Sequence, residues 1–181
     1  MNRNDIDRLL VEARRVTNHP DFVIIGSLSV LGAVANPPVS MTGSIDIDLY
    51  PKIRPWKSYG NCQSTWVGER RIYGYYADAV SPMLPTLPEG WERRLIQVEF
   101  DSGVSAWFLE PNDAAISKYV RSEPRDREWI RAGLEANILS LPTIEYRLRE
   151  TIIETDERQL AKQSIKEDRA WLAENNEIPK A

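Results

Sequence analysis

The sequence predicts an α/β (α+β) fold, in which a mixed twisted sheet is flanked by helices and followed by a helical lobe. Two observations predict this class. Short β-branched runs alternate with segments of helical periodicity over residues 1–110. From residue 111 onward, apolar side chains recur only at helical spacing. We therefore expect a core over residues 1–110 and a helical lobe over residues 111–181 that packs on it.

The elements of the first half follow from periodicity and breakers. Residues 5–16 carry apolar side chains at helical spacing, and Pro20 limits that helix. Residues 21–25 are a β-branched run closed by Gly26, which predicts a buried strand. Ser27 is expected to cap the next helix, because serine is a preferred N-cap residue. The further elements expected in this half are a helix over 28–34 and strands over 44–50 and 71–80.

From residue 52 onward, proline and glycine residues mark the boundaries between the expected elements. Residues 52–68 have no regular pattern, and three prolines between residues 81 and 90 predict an extended loop. A hairpin is expected over 94–100 and 104–109, because Asp101-Ser102-Gly103 supplies the turn between two apolar runs. The expected helices of the lobe cover 112–122, 125–139, 143–154 and 157–175.

The amino-acid composition argues against several classes of function. The 181 residues include 23 Lys and Arg against 27 Asp and Glu, so the net charge of −4 gives no general attraction to nucleic acid or anionic membranes. One cysteine (Cys62) and one histidine (His19) exclude a disulfide framework, all-cysteine metal sites and histidine-based chemistry. Apolar runs are too short for a signal peptide or a membrane span. We expect a cytoplasmic protein with no membrane partner.

Asp46-Ile47-Asp48 is the strongest chemical feature. On a strand, alternate side chains share a face, so Asp46 and Asp48 point the same way and repel each other. A divalent cation between the two carboxylates would offset that repulsion, and Mg²⁺ keeps positions open for phosphate oxygens. The alternative is a half-exposed edge strand whose polar face carries acids. The pair therefore predicts a metal site, and the prediction depends on whether nearby residues also suit a phosphate ligand.

Gly26-Ser27 provides such surroundings. The pair follows a strand and opens a helix, where backbone N–H groups face an incoming anion. Gly26 permits close approach, and the Ser27 hydroxyl can donate to a phosphate oxygen. A phosphate cradle beside an acidic strand is what phosphoryl or nucleotidyl transfer requires.

Together, Gly26-Ser27 and Asp46-Ile47-Asp48 resemble the Gly-Ser…Asp-x-Asp signature of the DNA polymerase β nucleotidyltransferase superfamily. The 18 residues between Ser27 and Asp46 exceed the usual spacing of that superfamily. Residues 75–78, 87–95 and 109–118 are similar to bacterial nucleotidyltransferases of abortive-infection and toxin–antitoxin systems. The resemblance covers about residues 20–140, and it implies the nucleotidyltransferase fold.

The resemblance also implies further site residues. In that group a Ser-Lys pair and a later Lys-Asp pair help hold the triphosphate and complete the site. Lys118 matches the lysine of the first pair. Arg125-Asp126 matches the second pair, with arginine in place of lysine. A third carboxylate is expected on a neighbouring strand as metal ligand or base, and of the two candidates, Asp78 and Glu99, Asp78 is preferred.

The activity implied is a nucleotidyl transfer that depends on Mg²⁺ or Mn²⁺. A nucleoside triphosphate would donate its nucleoside monophosphate to a tRNA or protein acceptor, and a cognate antitoxin is an implied partner. The catalytic set would be Asp46, Asp48, Asp78 and Asp126, with Asp46 and Asp48 holding the metal. Gly26, Ser27, Lys118 and Arg125 would bind the nucleotide. The alternative is a binding or regulatory module that keeps the same fold with a defective site.

Overall fold

The computed structural model describes residues 1–52, 70–72, 75–80 and 85–176, with the backbone alone for residues 70–72, 75–79 and 176. The irregular segment expected over 52–68 lies almost entirely outside the described residues. The strands of the described part are β1 (Asp21–Ile25), β2 (Asp46–Pro51), β3 (Arg70–Ile72), β4 (Tyr75–Ala79), β5 (Ile96–Glu99) and β6 (Ser105–Phe108). Its α-helices are α1 (Arg3–Thr17), α2 (Val30–Ala33), α3 (Val39–Thr42), α4 (Pro111–Arg121), α5 (Pro124–Glu135), α6 (Leu141–Arg149) and α7 (Thr155–Asn176).

The strands form one mixed sheet in the order β3-β4-β2-β1-β6-β5. Strand β1 lies near the centre, antiparallel to β2 and parallel to β6. Strand β4 lies parallel to β2 on the other side. The register sets Asp48 beside Ile25 of β1 and beside Asp78 of β4. The mixed α/β class expected from the sequence is confirmed.

Burial explains why β1 can occupy the centre of the sheet. Residues 22–25 are all apolar and all buried, as expected of a strand covered on both faces. The apolar side chains of α1, of the sheet and of α4–α7 belong to one continuous hydrophobic cluster. Helix α2 packs on β5 and β6, and α4 contacts α5, α6 and α7. Helix α4 is thus the common contact of the helices that follow residue 111.

Two elements differ from the sequence-based expectation. The strand expected over 71–80 is two strands, β3 and β4, which pair antiparallel. The helix expected over 28–34 is a 3₁₀ turn (Ser27–Ser29) followed by the single turn of α2. Arg3 of α1 caps the C-terminal end of α2. Its guanidinium donates to the carbonyl oxygens of Leu31 (2.7 Å) and Gly32 (3.1 Å).

The hairpin of β5 and β6 and the presence of four helices from residue 111 onward are confirmed. Two of these helices end earlier than expected, α5 at Glu135 and not at residue 139, and α6 at Arg149 and not at residue 154. Helix α3 is a single turn that the sequence analysis did not predict. Within the described ranges, none of the helices combines the length and the apolar character that a membrane crossing requires.

Candidate active site

The centre of the candidate site is the contact between Gly26 and Asp48. Strand β1 ends at Ile25, whose register partner is Asp48 of β2. Gly26 follows with φ +70°, and a Cβ at this position would lie 2.2 Å from Oδ2 of Asp48. Only glycine lets the carboxylate lie against the backbone here and adopts this φ without strain. The sequence places a glycine where the acidic strand needs open space.

Asp46 lies one pleat away from Asp48 on the same face of β2. Both carboxylates line a cleft of about 540 Å³. The wall opposite them comes from α4 and α5, through Lys118, Arg121 and Arg125. Ser27 and residues of α3 complete the lining. The two acids and the Gly-Ser turn thus meet as expected.

Lys118 connects the helices to the Gly-Ser turn. Its side chain is buried, and its Nζ donates to Oγ of Ser27 (2.9 Å) and to Oδ1 of Asp126 (2.9 Å). Burial lowers the pKa of this amine, and the hydrogen bond and charge of Asp126 only partly offset the effect. The Ser27 hydroxyl therefore accepts from lysine and does not cap the helix as expected.

Asp126 binds the two basic side chains that α4 contributes to the cleft. Its carboxylate is 2% exposed and also accepts from Nε (2.8 Å) and a terminal nitrogen (2.6 Å) of Arg121. Burial raises the pKa of Asp126, but the hydrogen bonds from Arg121 and Lys118 outweigh it, so the pKa lies below its usual 3.8. Both oxygens of Asp126 are thus engaged by basic side chains of α4.

Trp129 holds the Gly26-Ser27 turn through its indole N–H. The indole N–H lies between the backbone carbonyl oxygens of Ser27 (3.1 Å) and Met41 (3.2 Å), and it can donate to either. The ring also faces the Lys118 amine, with Nζ 4.9 Å from the ring centre. Trp129 was not among the site residues predicted from the sequence. No residue spacing signals this contact, because Ser27 and Trp129 are 102 positions apart.

The charge of the cleft is net negative without a ligand. Its described lining carries five carboxylates (Asp46, Asp48, Glu123, Asp126 and Glu128) and three cations (Lys118, Arg121 and Arg125), a formal charge of −2. A bare polyphosphate would meet this excess of negative charge. A divalent cation between the two strand carboxylates would offset this excess.

The third carboxylate expected from the sequence has two candidates, Asp78 and Glu99. Backbone register sets Asp78 directly beside Asp48. Glu99 lies on β5, at the edge of the sheet and separated from β2 by β1 and β6. Three strand spacings amount to about 14 Å, so Glu99 is outside the cleft. Among the residues whose side chains are described, no group of three acidic, histidine or cysteine residues could hold a metal ion.

Arg125 is exposed at the rim of the cleft, and it makes no hydrogen bond or ion pair with the described residues. It differs in this respect from Arg121, whose guanidinium is bound by Asp126. Arg121 is the arginine that is fixed in position. Its charge also lies close enough to Asp48 for mutual attraction.

Two further buried carboxylates hold α4 in place. Asp113 accepts from Nε of Arg94 (2.8 Å) and from Arg147 (2.9 Å), and burial nevertheless raises its pKa. Asp168 of α7 accepts from Tyr119 (3.1 Å) and from Nε of Arg131 (2.9 Å). These networks fix both ends of the helix that carries the cations of the cleft.

A mixed α/β sheet with paired carboxylates beside a Gly-Ser turn, faced by cations from helices, defines a protein of nucleotidyltransferase type. Comparison with protein families agrees with this class. Residues 4–174 match the family described as "Nucleotidyltransferase of unknown function (DUF6036)", and the chain belongs to that family. No curated protein and no solved structure matched the chain in the corresponding comparisons.

Proposed function

We propose that the protein transfers a nucleoside monophosphate from a nucleoside triphosphate to a hydroxyl group, with Mg²⁺ or Mn²⁺ as the cofactor. The observation that carries this proposal is the contact of Asp48 with Gly26, opposite the Lys118 amine on Ser27. It brings a metal-binding carboxylate, a phosphate-binding turn and a fixed cation together around one cleft. The family, whose description names nucleotidyltransferases, supports the same class.

The residues of the cleft fit a divalent cation. Asp46 and Asp48 supply carboxylate oxygens, which are the ligands that Mg²⁺ prefers, and Gly26 leaves the space that a Cβ would fill. Two carboxylates suffice for Mg²⁺ when phosphate oxygens and water complete the shell. When bound, the cation would neutralise charge that develops on the reacting phosphate. We propose Asp78 as a further ligand or base because of its register beside Asp48.

The remaining groups bind and orient the triphosphate. The Ser27 hydroxyl and the Lys118 amine would contact its terminal phosphates, and Arg121 would add a second charge. In the reaction the acceptor oxygen bonds to the α-phosphorus, the bond from that phosphorus to the bridging oxygen breaks, and pyrophosphate leaves. The hydroxyl proton passes to the base. Asp126 is proposed as a positioning residue, since its oxygens are engaged by Lys118 and Arg121.

The proposed acceptor is a hydroxyl of a tRNA or of a protein, and the proposed biological setting is a toxin–antitoxin pair with a cognate antitoxin. Both rest on the resemblance of residues 75–78, 87–95 and 109–118 to that group. The second candidate function is a nucleotide-binding or regulatory module. It would keep the same fold with a defective site.

Binding and transfer separate the two candidates. The purified chain is titrated with each nucleoside triphosphate, with and without Mg²⁺, and then incubated with α-³²P-labelled triphosphates, total RNA and total protein. The enzyme proposal expects Mg²⁺-dependent binding and labelled RNA or protein that Asp46→Asn abolishes. Mg²⁺-dependent binding without label on any acceptor would support the binding module. No binding to any triphosphate would refute both.

A further inference from the structure

A second cavity begins where the phosphate-binding cleft ends. It has a volume of about 330 Å³ and shares Asp48, Lys118 and Arg121 with that cleft, and Gly26 also lines it. Its other walls come from the ends of β1 and β6, from α4, from residues 85 and 86, and from α7. A ligand that reaches Asp48 and Lys118 from the cleft can therefore continue directly into this cavity.

The two cavities differ in chemistry. The second one has apolar walls made by Ile25, Pro85, Leu109, Ala114 and Val120. Its polar groups outside the shared residues are the hydroxyls of Thr86 and Ser117 and the carboxylate of Glu157. Apolar walls with a few polar groups are typical of sites for uncharged ring systems. A phosphate chain would gain nothing from these walls and would be repelled by Glu157.

Glu157 is the one acid that α7 contributes to the described lining of this cavity. Its Oε2 accepts the backbone N–H of Glu154 (3.1 Å), which fixes the side chain at the start of the helix. Within the described part of the chain, Oε1 accepts no hydrogen bond and the carboxylate forms no ion pair. An ionised carboxylate can only accept, so its natural partner is a donor group of the ligand.

We propose that this second cavity binds the nucleoside of the triphosphate, and that Glu157 selects bases that carry an amino group. The inference rests on the function proposed above. Adenine, cytosine and guanine each carry an exocyclic amino group, whereas the exocyclic groups of uracil are two carbonyl oxygens on either side of its ring N3–H. A carboxylate attracts an amino group and repels carbonyl oxygens. The donor substrate is therefore ATP, CTP or GTP, and UTP is disfavoured by about tenfold or more in affinity.

The experiment compares Mg²⁺ complexes of the four nucleoside triphosphates with Mg²⁺-tripolyphosphate, measured by isothermal titration calorimetry. Tripolyphosphate reports on the phosphate-binding cleft alone. We expect the amino-bearing triphosphates to bind about tenfold more tightly than UTP and tripolyphosphate. Glu157→Gln should remove most of that preference, and Glu154→Gln, an exposed acid one turn away that does not line the cavity, should leave it intact.

Val120→Phe provides an independent test, because a phenyl ring at this half-buried wall position would fill the cavity. It should reduce the affinity for every nucleoside triphosphate to that for tripolyphosphate, which should itself not change. Equal affinity of all five ligands, unaffected by Val120→Phe and Glu157→Gln, would overturn the nucleoside pocket and leave the phosphate site standing. Failure of tripolyphosphate and all triphosphates to bind would refute the proposed function, and this inference with it.

Discussion

Gly26→Ala tests the contact on which the site depends. The new Cβ would lie 2.2 Å from Oδ2 of Asp48, whereas ordinary contacts begin at 3.4 Å, so the carboxylate must move by about 1.2 Å. Displacement of a reacting group by about 1 Å can cost roughly 100-fold in rate. With φ 70° and ψ −158°, Gly26 also has a backbone conformation that is essentially restricted to glycine, and alanine there adds about 1–3 kcal/mol of strain. We expect nucleotidyl transfer to fall about 100-fold and Mg²⁺-dependent triphosphate binding to weaken.

Gly103→Ala is the matched control for this prediction. Gly103 has φ +75°, but a Cβ there would meet nothing within 4 Å, and it lies in the turn between β5 and β6. It should carry the strain of a positive φ and leave binding and transfer unchanged. Urea unfolding of both variants measures the loss of stability, and calorimetry with Mg²⁺ and triphosphate measures the site. Normal binding and transfer by Gly26→Ala would refute the role given to the Asp48 contact.

Three further predictions concern single residues. Asp46→Asn should abolish Mg²⁺-dependent binding and change the unfolding free energy by no more than about 0.5 kcal/mol, because Asp46 is exposed; a large loss in urea unfolding would mean that the acid is structural. Asp126 has a folded pKa below 3.8, so its ionised form stabilises the protein above that pH; the stability gap between wild type and Asp126→Asn should shrink as pH falls from about 6 to about 3, and a constant gap would contradict this. Gly32→Ala should destabilise by about 1–3 kcal/mol, because its Cβ would lie 2.2 Å from Cβ of Phe108; unchanged urea unfolding would contradict that packing.

The parts of the fold that depend on local pattern could be predicted from the sequence. Phe22–Ile25 is apolar at every position, which is enough to indicate a strand covered on both faces. The shared face of Asp46 and Asp48 follows from the period of a strand alone. The helices after residue 111 carry apolar stripes, which can be recognised without knowing what the helices pack against.

The parts that depend on tertiary contacts could not be predicted from local pattern. Ser27 has the sequence context of a helix cap, but Lys118, 91 positions later, donates to its hydroxyl. Asp126 had been interpreted as catalytic, and only the packing of α4 against α5 places its carboxylate between Lys118 and Arg121. Spacing along a chain does not encode which buried acid will pair with which base. The resemblance indicated residues that line one cleft, and their roles stay predictions.

Helix α4 contributes to three separate buried ionic networks, through Asp113, Lys118 and Tyr119. A rotation or one-turn slide of this helix would break contacts in all three at once. Asp113 and Asp126 would lose their basic partners, which is costly for a buried carboxylate. Asp168 would lose Tyr119 but keep Arg127 and Arg131 of α5. The three networks therefore favour one register of α4. In that register the amine of Lys118 is held by Ser27 and Asp126, so a ligand that contacts it would cost little further ordering entropy.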